Sequence, residues 1–196
     1  MQDNDKLDLE RISVMIVDDN AQSVDILAQV MTGFGARSII RCSGVKEAKD
    51  ILNSRRVDFI LTDAEMPGED GYELLRWLRR EAKEPNRFTP AILVTGHTRT
   101  SQVKRARDCG AHLVVSKPIQ ANVLLERIFW VARDERMFVD CEAYAGPDRR
   151  FKFEGPPPGE DGRRDNDLPA EVGQATDPNL SQDELDSMMK PSKVTL

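Results

Sequence analysis

The chain has 196 residues, a formal net charge of −6, 32% charged and only 6% aromatic residues, so it holds one domain of ordinary size plus a portion too polar to be packed core. Its three cysteines, Cys42, Cys109 and Cys141, show no paired spacing, which excludes a disulfide framework, a zinc ribbon and a C-x-x-C redox motif. The basic excess of a nucleic-acid binder, an apolar run of membrane-span length and a signal-peptide pattern are all missing, so no nucleic acid and no membrane are expected as partners, and a cytoplasmic location is expected.

Residues 1–10 read as a flexible lead-in. Ser13 to Val17 is a short apolar run, predicted as a buried strand, and it ends in Asp18-Asp19-Asn20. Gln22 to Met31 carries Val24, Leu27, Ala28 and Met31 at helical spacing and is stopped by Gly33 and Gly35. Ser38 to Cys42 is the second predicted strand, and Val45 to Leu52 the second helix. Phe59 to Thr62 is the third strand, running into Asp63 and then a Pro67-Gly68 turn. Gly71 to Arg80 is the third helix, with Leu74, Leu75 and Leu78 inward and Arg76, Arg79 and Arg80 outward. Ala91 to Val94 (strand), Ser101 to Asp108 (helix), Leu113 to Val115 (strand) and Asn122 to Arg133 (helix) complete the series.

Five strand–helix pairs in alternation predict an α/β fold, a doubly wound parallel sheet covered by helices on both faces. The order of the strands does not follow from the order of the chain. An order 2-1-3-4-5 would bring the ends of the first, third, fourth and fifth strands to one edge, where open α/β sheets bind ligands.

Those strand ends carry the chemistry. The first supplies Asp18 and Asp19, the third Asp63, the fourth Thr95 and the fifth Lys117. Asp63 by itself reads more readily as a helix N-cap or an Asx-turn, the commoner fate of an Asp after a strand. Three carboxylates in one place, however, repel one another unless a cation is shared, and Mg²⁺, which takes oxygen ligands, suits them. A lysine is a point charge for a phosphoryl oxygen, a threonine hydroxyl can donate to another, and Asp63 would be the nucleophile of aspartyl-phosphate chemistry.

Asp18-Asp19, the run Asp63-Ala64-Glu65-Met66-Pro67-Gly68-Glu69-Asp70-Gly71, Val94-Thr95-Gly96 and Lys117-Pro118 together resemble a response-regulator receiver domain, the CheY-like family, over residues 11–134. The resemblance implies a flavodoxin-like five-stranded sheet of order 2-1-3-4-5. It implies that Asp63 is the phosphoacceptor, served by a histidine kinase or a phosphotransfer protein. It further implies that Asp19, Asp63 and the backbone carbonyl of Glu65 bind Mg²⁺ directly, that Asp18 orients a water on the metal, that Thr95 and Lys117 hold phosphoryl oxygens, and that the Lys117-Pro118 bond is cis. The chain departs from the family at Val114, where an aromatic residue usually reports the switch. Glu65 and His97 occupy positions that tune phosphoryl lifetime in such proteins. A phosphorylation-dependent switch read by protein binding is expected, rather than an enzyme. A phosphorelay intermediate or phosphate sink stands as the alternative, with a Mg²⁺-dependent phosphatase as a third.

Residues 135–179 are rich in Pro, Gly and Arg and are expected to be a disordered linker. Arg149-Arg150 with Phe151 and Phe153, and Arg163-Arg164, could dock a partner or could simply be solvated. Residues 180–190 read as a short amphipathic helix. Ser181 is the N-cap, Glu184 completes a capping box, Leu180 and Leu185 form a staple, and Leu185, Met188 and Met189 share a face. This stretch resembles the N-terminal peptide of the flagellar switch protein FliM, which implies a flagellar or chemotaxis setting; a chance capping box in a disordered tail is the other reading. Its acids Asp183, Glu184 and Asp186 would complement Arg99, Lys104, Arg105 and Arg107 of the fourth helix, giving self-interaction in cis or with a second copy. Residues 191–196 are read as a free tail, and no output domain is expected to follow a stand-alone domain of this kind.

Overall fold

The computed structural model describes residues 8–149 and 180–189. Expectations placed on residues 1–7, 150–179 and 190–196 lie outside the described residues. The chain runs β1 (Ser13–Val17), α1 (Ala21–Gly33), β2 (Ser38–Cys42), α2 (Val45–Ser54), β3 (Phe59–Asp63), α3 (Gly71–Arg80), β4 (Ala91–Thr95), α4 (Thr100–Asp108), β5 (Leu113–Ser116) and α5 (Ala121–Ala132). Beyond these come β6 (Phe138–Cys141), β7 (Tyr144–Pro147) and α6 (Gln182–Met189).

The first five strands form one parallel sheet of order β2-β1-β3-β4-β5. β3 and β4 are buried at every position, as central strands covered on both faces must be, whereas β2 at one edge is only partly covered. Helices α1 to α5 pack Leu27, Met31, Ala48, Leu52, Leu74, Leu78, Val103, Leu124 and Ile128 into the core from both sides. Local chemistry starts two of them. Asn20 accepts from the Gln22 and Ser23 amides at the head of α1, and Asp70 with Glu73 forms a reciprocal capping box on α3. α1 ends at Phe34, and Gly35 follows with φ 99°, a backbone conformation that suits glycine.

Three expectations are corrected. The end of the lead-in is structured: Leu9 to Arg11 makes a 3-10 turn capped by Asp8, and Leu9 is buried. The region expected as linker contains an antiparallel hairpin, β6 with β7, in the register Phe138↔Pro147 to Cys141↔Tyr144. Arg79, expected outward, is fully buried. Its Nε donates to the Gly110 carbonyl (3.1 Å), and one terminal nitrogen donates to the carbonyls of Arg87 (2.7 Å) and Thr89 (2.9 Å).

The hairpin explains the buried arginine. Gly110 has φ 84°, and a Cβ there would lie 2.7 Å from the Ala145 carbonyl oxygen and 2.8 Å from Arg79 Cγ. A Cβ on Gly146 would lie 2.8 Å from Gly110 Cα. Two glycines thus let two backbones meet over the arginine stem. Tyr144 and Ala145 are buried, the Tyr144 hydroxyl donates to the Pro147 carbonyl (2.8 Å), and Phe138 sits edge-on to Phe88. Prolines, glycines and charges in this stretch do not resemble core, because what they bury is backbone and an arginine rather than an apolar face.

Candidate functional site

β1 ends where Asp18 begins, and the Asp18 amide still bonds the Cys42 carbonyl of β2 (3.2 Å). The Asp18 side chain is buried and accepts from the Asn20 amide (2.9 Å), the same residue that caps α1. Asp19 beside it faces solvent. Asp63 is the last residue of β3, aligned with Val94 of β4. It is held from behind by Gly71: a Cβ there would fall 2.0 Å from the Asp63 carbonyl oxygen, so only glycine lets α3 begin this close to the strand end. One Asp63 carboxylate oxygen accepts from the Glu65 amide (3.2 Å), while the other lies 2.6 Å from Lys117 Nζ. Lys117 also reaches Asp18 (3.0 Å). It follows β5 directly, its amide donates to the Thr95 carbonyl (2.7 Å), and the Lys117–Pro118 bond is cis.

Asp18, Asp19 and Asp63 each bring a carboxylate oxygen within 4.8 Å of the others. Burial raises the Asp63 carboxyl above its ordinary value; Lys117 opposes this and the Asp18 charge adds to it. Burial pulls Lys117 down, but its hydrogen bonds to Asp63 and Asp18 outweigh that, and the ammonium is held more firmly protonated than usual. The Lys117 direction reflects its two carboxylate partners, whereas the Asp63 direction reflects chiefly its burial. The donor set is carboxylate oxygen, with no thiolate or imidazole in the cluster, which fits a hard divalent cation such as Mg²⁺ and not a zinc or copper site.

The remaining sequence-derived residues surround this centre. Thr95 ends β4 opposite Ser116, is buried, and its hydroxyl is occupied within its own loop. It donates to the His97 carbonyl and accepts from the His97 amide, both at 3.0 Å. The Glu65 side chain meets His97 Nε2 at 3.5 Å and accepts from Gln102 at 2.9 Å, forming a polar rim beside Asp63. Val114 is buried in β5.

Several polar contacts near the centre were not legible in the sequence. Leu180, just before α6, donates its amide to the Thr98 carbonyl (2.9 Å) and accepts from the Thr98 hydroxyl (2.6 Å). The Gln182 side-chain oxygen accepts from the Ser116 amide (2.9 Å) and hydroxyl (3.0 Å), and its nitrogen donates to the Val114 carbonyl (3.0 Å). Ser181 and Glu184 exchange the capping-box bonds expected of them. Leu185 and Met189 are buried against the core, with Met188 packed beside them. The charge pairing differs from expectation. Asp186 pairs with Arg127 of α5, whereas Arg105 of α4 bonds Asp70 (2.6 Å) and stacks over Tyr72. The capping box marks a helix start, but no sequence signal told which side chains would reach β5.

A family model described as response regulator receiver domain matches residues 14–129. The polar-differentiation response regulator DivK of Brucella ovis is 33% identical over 116 residues, spanning 59% of this chain and 92% of DivK. DivK of Brucella anthropi is 32% identical over the same length. Among solved structures, a putative response regulator from Chloroflexus aurantiacus superposes with a TM-score of 0.58 at 25% identity, covering 62% of this chain and 98% of that one. The chemotaxis protein CheY4 of Vibrio cholerae superposes with a TM-score of 0.56 at 23% identity, covering 61% and 98%, a likeness of fold. The family match ends before β6 and α6.

Proposed function

Because this chain belongs to the response regulator receiver domain family, we propose that Asp63 accepts a phosphoryl group from a histidine kinase or phosphotransfer protein and that the change is read by protein binding. The observation that carries this is the bridge of Lys117 to Asp63 and Asp18 inside a cluster of three carboxylates. An Asp63 oxygen forms the new P–O bond as the bond from phosphorus to the donor breaks. Lys117 exchanges its contact with the carboxylate for one with a phosphoryl oxygen, and the Thr95 hydroxyl donates to another. Asp18, Asp19 and Asp63, with the Glu65 carbonyl, would hold Mg²⁺, which when bound neutralises charge on the transferred group.

The output surface in this reading is the face made by α4, β5 and α5. The supporting observation is that α6 already lies there, with Leu185 and Met189 buried and Asp186 paired to Arg127. An outside target, flagellar or chemotactic in the reading drawn from the tail sequence, would compete with α6 for that face. A specific observation also favours the second reading, a phosphorelay intermediate: a covered output face leaves phosphotransfer as the activity that needs no further surface. Long phosphoryl lifetime with phosphorylation-dependent capture of a target supports the switch; rapid return of the group to a phosphotransfer protein supports the relay. A cytoplasmic site of action follows from either. Among the described residues no helix is long and apolar enough to cross a membrane.

The direct test is incubation with Mg²⁺ and acetyl phosphate, followed by intact mass. Wild type gains one phosphoryl group and Asp63→Asn gains none. An unlabelled wild type, or an equally labelled variant, would end this reading.

A further inference from the structure

β5 is an edge strand, so the outward carbonyl of Val114 and amide of Ser116 need partners that no strand supplies. Gln182 supplies both. Its side-chain amide donates to Val114 and accepts from Ser116, much as a neighbouring strand would. The second anchor of the same segment is Leu180, bonded in both directions to Thr98, which is itself buried.

These two anchors stand on the segments that hold the phosphoryl-binding groups. Ser116 immediately precedes Lys117, whose ammonium now bonds the unmodified carboxylates of Asp63 and Asp18. Thr98 is three residues beyond Thr95, whose hydroxyl now closes a turn on His97. A phosphoryl group on Asp63 requires both to change partners. Lys117 must shift outward to the new oxygens, and Thr95 must give up its bond to the His97 carbonyl, which reorganises the loop through Thr98. α6 therefore fits the arrangement in which both groups are still engaged with their resting partners, and a ligand that fits one of two states biases the equilibrium toward it.

We propose that α6 is the built-in reader of the Asp63 site: Gln182 and Leu180 clamp the unphosphorylated arrangement of the β4–α4 loop and β5, and phosphorylation releases the helix and uncovers the β5 edge. The absent aromatic at Val114 is thereby replaced by a segment more than sixty residues further along the chain. Leu185 and Met189 supply the burial that makes the clamp worth holding, and the Asp186–Arg127 pair fixes its register on α5. By reciprocity, a clamp that is weakened by phosphorylation must itself disfavour phosphorylation.

This inference rests on Asp63 being the phosphoacceptor, so its test reads the two separately. Full-length protein is treated with Mg²⁺ and acetyl phosphate. Intact mass reports labelling, and amide hydrogen exchange reports the segment 180–189. The expected result is a labelled protein whose α6 amides exchange at least about tenfold faster than before, a loss equivalent to about 1.4 kcal/mol of docking. Asp63→Asn should show neither change. Labelled protein with α6 exchange unchanged or slower overturns the inference and leaves the phosphoacceptor reading standing; failure of labelling overturns both. Gln182→Ala gives an independent arm. It removes the β5 contact without touching the pocket, and should speed α6 exchange in unlabelled protein while raising the steady labelled fraction severalfold. A labelled fraction equal to wild type's counts against the coupling.

Discussion

Two segments beyond α5 rest on the five-stranded body, and they are attached by different physics. The β6–β7 hairpin meets the end of α4 backbone to backbone through Gly110 and Gly146, over an arginine whose polar atoms are met by carbonyls of Gly110, Arg87 and Thr89. Nothing in that contact depends on a group that changes charge under ordinary conditions; burial lowers Arg79 only to about 10, and it keeps His112 beside it neutral by pushing it well below its ordinary value. α6 is attached through the Gln182 side chain, to Val114 and Ser116 next to Lys117, and through the Leu180 backbone, to Thr98 near Thr95. The first attachment closes backbone on backbone over a buried arginine, and the second seats Leu185 and Met189 in the core while its polar bonds go to residues beside Lys117 and Thr95. A segment set on rigid backbone can only add stability, whereas one set on residues that must move can carry a signal.

The largest effect expected is on the hairpin. Gly110→Ala places a Cβ against the Ala145 carbonyl and Arg79 in a left-handed conformation, and should lower stability by roughly 2–4 kcal/mol, read as a lower urea midpoint. A midpoint within about 0.5 kcal/mol of wild type would show that the hairpin is not part of the core.

Next is the pocket that α6 overlooks. Burial, with the Asp18 charge, holds the Asp63 carboxyl above its ordinary value against the pull of Lys117. The folded state therefore binds this proton more tightly than the unfolded chain. Its contribution to stability is complete below the unfolded value and is lost as pH rises through the folded one. Mg²⁺ should recover stability only above that titration. At ten times its dissociation constant the gain is about 1.4 kcal/mol. A melting temperature insensitive to Mg²⁺ at neutral pH, or a Mg²⁺ effect that persists in acid where Asp63 is protonated, would contradict the site.

Leu185→Ala should have a smaller global effect, for a reason the comparison supplies. A buried leucine truncated in a core costs roughly 2–5 kcal/mol, but a helix that can leave loses no more than its own docking energy. A change in global stability below about 1 kcal/mol, with α6 exchange approaching that of an unstructured segment, is the expected pattern. A core-sized loss of global stability would put α6 in the same class as the hairpin.

The smallest effect is chemical. Cys42 and Cys109 are buried and pushed up to about 12, chiefly by burial, whereas Cys141 is exposed at the end of β6. Iodoacetamide on the native protein should modify Cys141 alone with no loss of structure. In Gly110→Ala, Cys109 should become reactive as well; protection equal to wild type's would mean that the hairpin seat had survived the substitution.

How much of this was legible beforehand can be traced to particular residues. Strand ends at Val17, Thr62 and Val94 followed from apolar runs that stop at polar residues, and the structure carries the last two one residue further, to Asp63 and Thr95. Asp18, Asp19, Asp63 and Lys117 could be assembled from their positions after those strands, and the structure brings them together. The helix at residues 182–189 was announced by its capping box, which is local chemistry written in four residues.

The sequence by itself determined the alternation of elements, the parallel sheet and which polar residues stand at the strand ends, because periodicity and the ends of buried strands are local properties; that these ends share one edge came from the resemblance to the receiver family and is borne out by the strand order β2-β1-β3-β4-β5. Only the tertiary structure decided that Arg79 is inside, that Phe138 to Pro147 is a hairpin, that Gln182 rather than an aromatic ring meets Val114, and that Asp186 chooses Arg127. Arg79 and Gln182 are satisfied by backbone far away in the chain, and a carbonyl or amide offers such a partner wherever the fold happens to place it, whatever side chain it belongs to; Asp186 likewise finds a guanidinium that only the packing of α6 on α5 brings near.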